Sequence, residues 1–211
     1  MSIPFHHPNV STFLVGKSPT DRQAREAFLQ QSSQRVIELN QQHSAECLVL
    51  SASSSLNSSE MKQPADAVLS DRDDVVLSLY TADCVPILLT HRPNGTNATV
   101  IGAVHAGRKG TEERILQKTL SQLVNHWGPG QTLLWFGPHI CARCYEIQRK
   151  PSVRYNLREK LTEQAKAVLP DNSYEIIFSE HCTFEEKNEW YSYRREGKGV
   201  PMNYCYISLS K

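Results

Sequence analysis

A cysteine and a histidine lie at the ends of two apolar stretches of the chain. Cys84 closes "LYTADC" and His105 closes "ATVIGAVH", and the turn-forming sequence "RPNGTN" lies between them. Buried strands often deliver functional groups at their ends, where the chain leaves the sheet. A thiolate and an imidazole can ligate a metal or act as a nucleophile and its base. The sequence therefore predicts a site at Cys84 and His105. The structural alternative is a small buried thiol beside a hydrogen-bonded histidine.

The residues that follow the histidine are suited to an anion. The sequence "AGRKGT" supplies Gly107 and Gly110, which let the backbone approach a ligand closely, and the cations Arg108 and Lys109. A helix is expected to start at the end of this sequence, and helix N-termini attract anions. We therefore expect these four residues to hold a phosphate beside a metal or a nucleophile.

The composition indicates an ordinary globular domain. Of the 211 residues, 39% are hydrophobic and 21% charged, with a net charge of +1. This length predicts one domain over 1–211 with a substantial core. The balanced charge argues against nucleic-acid and membrane-surface partners, and no apolar run approaches the roughly 20 residues of a membrane span. Since the N-terminus lacks a secretory pattern, a cytoplasmic location with reduced cysteines is expected.

Hydrophobic periodicity predicts interleaved strands and helices. Helices are expected over 21–42, from 111 onward and over 152–169, and a Ser-rich loop over 53–64. The expected strands are 46–52, 75–80, 85–90, 98–105, 132–136, 174–179 and 204–209. This order predicts the α/β class, as a single layered α/β domain with a mixed β-sheet flanked by helices.

Four sequence blocks carry a resemblance to a known family. They are "PADAVLSDRDDVVLSLYTADCVPILL", "AVHAGRKGT", "WFGPHICARCYEI" and "CTFEEKNEWYSYRREG", in that order. Together they resemble the YfiH-like family, also called the laccase-domain or polyphenol-oxidase family. The blocks span about 64–199, whereas residues 1–63 match weakly and form a divergent N-terminal part.

The resemblance implies a zinc-dependent enzyme. Members of the family are regarded as purine nucleoside phosphorylases that act on adenosine, inosine, guanosine and methylthioadenosine, with adenosine deaminase activity. The implied cofactor is zinc rather than copper, held by His, Cys and His with one open position. The family's cysteine matches Cys84 and its second histidine matches His105. The implied partners are a purine nucleoside and phosphate.

The first histidine of the family's ligand set has no counterpart in this chain. The segment that should contain it reads "LVLSASSSLNSSE". His139 in "GPHI" is the preferred substitute, because the family places that loop near the pocket. His43 lies several residues too early in the sequence, and His181 directly precedes Cys182.

Other polar residues are weaker candidates. Arg194 and Arg195 in "YSYRR" are expected either to bind phosphate or to form structural ion pairs. Asp83 is expected to stabilise the turn at Cys84, and Asp66 to act in a turn or as a cap.

Two other functions stay open at this stage. In the first, Cys84 is the nucleophile and His105 the base of a metal-free hydrolase or deamidase. In the second, the chain is a catalytically degenerate binding or scaffold protein that keeps the fold.

Overall fold

The computed structural model describes residues 9–31, 33–53 and 64–209. Most of the Ser-rich loop expected over 53–64 lies outside the described residues. The helices are α1 (Pro19–Gln31), α2 (Arg108–Glu112), α3 (Ile115–Trp127), α4 (Leu157–Lys166) and α5 (Tyr193–Glu196). The strands are β1 (Val10–Val15), β2 (Arg35–Glu38), β3 (Cys47–Leu50), β4 (Ala67–Ser70), β5 (Val75–Thr81), β6 (Val85–Pro93), β7 (Val100–Ala106), β8 (Gly130–Phe136), β9 (Glu146–Arg149), β10 (Ser152–Arg154), β11 (Tyr174–Phe178) and β12 (Asn203–Leu209).

Two mixed sheets form the centre of the molecule. One has six strands in the order β11-β8-β6-β7-β4-β3, and the other has four in the order β1-β12-β5-β2. Their facing sides form a shared apolar core that includes Leu77, Leu88 and Trp135. Helices α3 and α4 cover the outer side of the six-stranded sheet, and α1 packs on the four-stranded one. The predicted layered α/β class is confirmed, with two mixed sheets in place of one. The single-domain organisation stays a prediction.

The helix expected over 21–42 is wrong in its second half. Helix α1 ends at Gln31, and β2 follows, pairing in parallel with β5. Ile37 is fully buried in the core between the sheets. The β-branched pair Val36 and Ile37 suits a strand, and this burial outweighs the helical spacing of the apolar residues.

The helix expected over 152–169 begins later than predicted. Residues 152–154 form β10, which pairs with β9 as a small hairpin. The Asn156 side chain then caps α4 by accepting a hydrogen bond from the Glu159 backbone N–H. The helix expected near Thr111 is split into α2 and α3, because Arg114 adopts a left-handed conformation with φ of 65°.

The turn between β5 and β6 connects the two sheets. The chain leaves the four-stranded sheet at the end of β5 and enters the six-stranded sheet at β6. The turn between these strands contains Asp83 and Cys84 and so crosses from one sheet to the other.

Within the described part of the chain, no helix is long and apolar enough to cross a membrane.

Candidate metal centre

The pairing of β6 with β7 places Cys84 next to His105. These strands run antiparallel with Val85 opposite Ala106 and Pro86 opposite His105. Cys84 immediately precedes β6 and is half-buried, whereas His105 is 3% exposed. Their ligand atoms lie within 4.8 Å of each other. The two residues that the sequence singled out therefore share one site, although Cys84 begins a strand instead of ending one.

His43 is the third member of this group. Its Nε2 lies 3.6 Å from the Cys84 Sγ, and its ring stacks edge-on against His105 with centroids 4.7 Å apart. The side chain is exposed, and the backbone is left-handed, with φ of 58°. Histidine is one of the few residues that tolerate this region. One sulfur and two imidazole nitrogens thus lie within 4.8 Å of one another.

Asp66 holds both histidines in place. Its carboxylate is fully buried, and Oδ1 accepts hydrogen bonds from His105 Nδ1 at 2.7 Å and from the His43 backbone N–H at 3.0 Å. Oδ2 accepts from the backbone N–H of Gln42 and of Ser44, and from the Ser44 hydroxyl. The bond at Nδ1 leaves His105 Nε2 as the available ligand atom. A carboxylate behind a histidine is the usual support of a metal ligand.

The charges of the group favour a deprotonated thiol. Burial opposes ionisation of Cys84, but the His105 charge and hydrogen bonds from both histidines outweigh it and lower the thiol pKa to about 6. Burial also opposes protonation of His105, yet Cys84 and Asp66 raise the pKa of its imidazole to about 9. Although burial acts to raise the pKa of Asp66, bonds from His105 and Ser44 hold it well below its usual range. Without a metal, the group is a thiolate–imidazolium pair backed by a carboxylate.

Gly107 leaves room beside the ligand atoms. A Cβ at this position would lie 2.7 Å from His43 Cδ2 and 2.8 Å from Cys84 Sγ, both too close for a real side chain. The backbone φ of −82° is ordinary, so steric space and not conformation requires the glycine. The two-histidine, one-thiolate set fits zinc with one open position, as in catalytic zinc sites.

His139 lies in a different environment from the one the sequence suggested. It is 3% exposed, its Nδ1 is bonded to the Gly137 carbonyl at 2.7 Å, and burial lowers its imidazole pKa to about 4. His43, His105 and Cys84 form their group without it. The structure thus brings His43, and not His139, to Cys84 and His105, although sequence distance alone had disfavoured it.

The expected phosphate-binding residues divide into two sets. Arg108 and Arg194 are exposed beside Tyr145; the Arg194 guanidinium lies 5.3 Å from the ring centroid, and Arg108 also pairs with Glu112 at 3.2 Å. Burial and the nearby Cys84 charge raise the Tyr145 pKa, and both arginines oppose that shift. These contacts place two cations near the group formed by His43, Cys84 and His105.

The other expected phosphate residues have structural contacts. Arg195 donates to the carbonyl oxygens of Thr183, Phe184 and Trp190, so its guanidinium is used within the fold. Lys109 lies 3.8 Å from Glu113. Gly110 is buried against the Ser44 carbonyl, which a Cβ would approach to 2.8 Å.

Asp83 links the cysteine turn to two distant segments. Its φ is 96°, a strained value for a residue other than glycine. Oδ1 accepts from the Thr183 hydroxyl at 2.7 Å and Oδ2 from the Arg194 backbone N–H at 2.6 Å. The carboxylate therefore bridges the turn to the C-terminal part of the site.

Sequence reasoning missed the roles of His43 and Asp66. The sequence does contain one signal: His43 precedes, and Asp66 follows, the segment "LVLSASSSLNSSE" in which the missing ligand was expected. Only the parallel β3–β4 pair and the β4–β7 pairing bring both to His105.

The fold and site define a mixed α/β protein with a His–Cys–His ligand group. The family model described as "Multi-copper polyphenol oxidoreductase laccase" matches residues 4–207, and the chain belongs to this family. The resemblance inferred from the sequence blocks is thereby confirmed.

Named relatives and a solved structure agree with this assignment. Purine nucleoside phosphorylase CA_C1699 of Clostridium acetobutylicum is 27% identical over 161 residues, covering 67% of this chain and 66% of the relative. Purine nucleoside phosphorylase YfiH of Escherichia coli is 29% identical over 149 residues, covering 63% and 59%. The crystal structure of protein NMB0706 of Neisseria meningitidis has a TM-score of 0.71 at 24% identity, covering 97% of this chain and 96% of that one. The matched region spans less than two thirds of the length of the two phosphorylases.

Proposed function

We propose that this chain is a purine nucleoside phosphorylase whose zinc is held by His43, Cys84 and His105. The observation that carries the proposal is this three-residue group, in a chain whose relatives bear that name. Its substrates would be phosphate and adenosine, inosine, guanosine or methylthioadenosine, in the cytoplasm. Deamination of adenosine to inosine is the second activity proposed for the same site.

In the proposed reaction, a phosphate oxygen bonds to C1′ of the ribose while the bond from C1′ to the purine nitrogen breaks. The purine leaves with that electron pair and takes up a proton. Zinc, when bound, supplies Lewis-acid polarisation of an oxygen. Asp66 holds the proton on His105 Nδ1 and so keeps Nε2 free for the metal. Arg108 and Arg194, which both interact with Tyr145, would bind and orient the phosphate.

Zinc is preferred to the copper of the family description on the basis of the donor set. Two imidazoles and one thiolate with an open position match catalytic zinc sites. Copper sites of similar composition add a weak axial ligand such as methionine. Elemental analysis of protein purified without added metal distinguishes the two.

The test is phosphorolysis measured with a matched set of histidine variants. Incubation with adenosine and phosphate, followed by chromatography, should yield adenine and ribose 1-phosphate, or inosine where deamination occurs. His43→Ala should lose the zinc of this site together with activity, whereas His126→Ala, an exposed histidine on α3, should keep both. Wild-type activity that survives full metal removal, or a fully active His43→Ala with the same zinc content as the wild type, would refute the metal site.

The two arginines provide a second, independent test. Arg194→Ala should raise KM for phosphate with little change in stability, since the side chain is exposed. Arg195→Ala should instead lower stability, because three carbonyl oxygens lose a charged donor. Equal effects of both variants on the phosphate KM would contradict this division.

A thiol hydrolase is the second candidate function, and one observation favours it. Cys84, His105 and Asp66 are arranged as a nucleophile, a base and an orienting carboxylate, with the thiol pKa lowered to about 6. Under this alternative, metal removal should increase turnover of amide or ester substrates, and alkylation of Cys84 should abolish it. Phosphorolysis that requires zinc would exclude it as the main activity.

A further inference from the structure

A second group of potential metal ligands lies outside the site described above. Cys141, Cys144, Cys182 and Glu185 place their three sulfurs and a carboxylate oxygen within 4.8 Å of one another. All three cysteines are free thiols. Four donors of these types match the ligand count of a closed structural zinc site.

The sequence spacing of the four residues supports a common ligand. Cys141 and Cys144 form a C-x-x-C pair, and Cys182 and Glu185 form a C-x-x-E pair. Structural zinc sites are commonly built from two close pairs of cysteine or histidine ligands, and here a carboxylate, which also ligates zinc, takes one of the four places. The sequence identifies the Cys141–Cys144 pair directly, whereas the Cys182–Glu185 pair is recognised as its partner only because the fold brings the two loops together.

The backbone holds the two loops in register. A hydrogen bond from the Cys144 N–H to the Cys141 carbonyl, at 3.0 Å, closes the first pair into a tight turn. An isolated parallel bridge joins His139 to Cys182, and the Cys141 N–H points at the Cys182 sulfur at 3.4 Å. Backbone N–H groups directed at sulfur are the hydrogen bonds that tune a thiolate ligand.

We propose that Cys141, Cys144, Cys182 and Glu185 bind a structural zinc ion, separate from the one at Cys84. Zinc–sulfur bonds of about 2.3 Å in a tetrahedron separate ligand atoms by about 3.8 Å. The ligand atoms here lie within 4.8 Å of one another, so small side-chain rotations would bring them to the spacing of a zinc site. Binding displaces the thiol protons, and the excess negative charge is partly offset by Arg143, 3.1 Å from Glu185.

The location of this second site gives it a structural consequence. Its loops touch the first site, because Asp83 accepts a hydrogen bond from Thr183 and its carbonyl accepts one from the Ile140 N–H. Tyr145, which directly follows Cys144, interacts with both Arg108 and Arg194. A bound ion would fix the wall that carries these residues without taking part in the reaction.

The experiment counts zinc in folded protein by elemental analysis, after equilibration with zinc chloride and gel filtration under reducing conditions. The wild type should bind about two zinc ions per chain, each with a full ligand set. The double variant Cys141→Ala, Cys144→Ala should bind about one, and Cys84→Ala should also lose one. The matched control Cys47→Ala, a half-buried cysteine in neither group, should keep both.

Cobalt substitution gives a readout that is independent of activity. The thiolate-to-cobalt absorption should be dominated by the three-cysteine site and survive in Cys84→Ala. Should the double variant fail to fold, Glu185→Gln replaces the one carboxylate ligand, on an exposed side chain, and should weaken zinc binding at this site. Wild type that binds a single zinc, lost entirely in Cys84→Ala, would overturn the proposal.

Discussion

Replacing Asp66 by asparagine tests the support of the metal centre. The two residues have the same shape, but the amide offers one oxygen where the carboxylate offers two. Oδ1 of Asp66 accepts hydrogen bonds from His105 Nδ1 and the His43 N–H, and Oδ2 accepts from the N–H groups of Gln42 and Ser44. Whichever oxygen becomes an NH₂ group, two N–H donors then face another donor.

The size of the effect follows from these contacts. Each buried donor that loses its partner costs about 1–3 kcal/mol, so Asp66→Asn should lower the free energy of unfolding by about 2–6 kcal/mol. Loss of a carboxylate behind a ligand histidine should raise the zinc Kd about 10–100-fold, which is about 1.4–2.7 kcal/mol. Both losses arise together because one side chain holds both histidines.

The assays are urea unfolding of the metal-free protein and zinc titration against a competing chelator. Asp171→Asn, which changes an exposed carboxylate in the turn after Pro170, is the matched control and should leave both quantities unchanged. If Asp66→Asn keeps the wild-type zinc Kd and unfolds within about 0.5 kcal/mol of the wild type, the support assigned to Asp66 is wrong.

Three further outcomes are expected. Gly107→Ala should weaken zinc binding in chelator competition while leaving the fold intact, because its Cβ would crowd the Cys84 sulfur. Unchanged affinity would contradict the crowding. In metal-free protein, the iodoacetamide reaction of Cys84 should rise with pH around a midpoint near 6, and a midpoint near 9 would disprove the lowered thiol pKa. Because His139 has a folded pKa of about 4, below its unfolded value, the stability from its neutral form is complete above about pH 6.5 and is lost as pH falls towards 4. The loss should reach about 3 kcal/mol in urea titrations, and His139→Asn should remove this pH dependence; an equal loss in the variant would exclude His139 as the cause.

Much of the fold follows from the sequence because the core strands are short, apolar and continuous. Strands β5 to β8 bury nearly all their side chains, and such runs predict buried strands directly. The errors fall where pairing competes with local propensity. Residues 35–38 have helical spacing, but a parallel partner in β5 makes them a strand.

Cys84 and His105 could be predicted as a pair from sequence because both follow from local features, namely residue type and position at the end of an apolar run. Their closeness then requires only that β6 and β7 form a hairpin, which the turn between them favours. The resemblance to family blocks added the expectation of zinc and of nucleoside chemistry.

His43, Asp66 and the Cys182–Glu185 pair were decided by tertiary structure alone. Each reaches its partners across a long sequence separation, through pairing between strands or loops that no local pattern specifies. A ligand set requires only that donor atoms meet within a few ångströms, so a histidine well before the expected position serves equally well. The sequence therefore determined which residue types were available for chemistry, and the three-dimensional packing determined which of them meet.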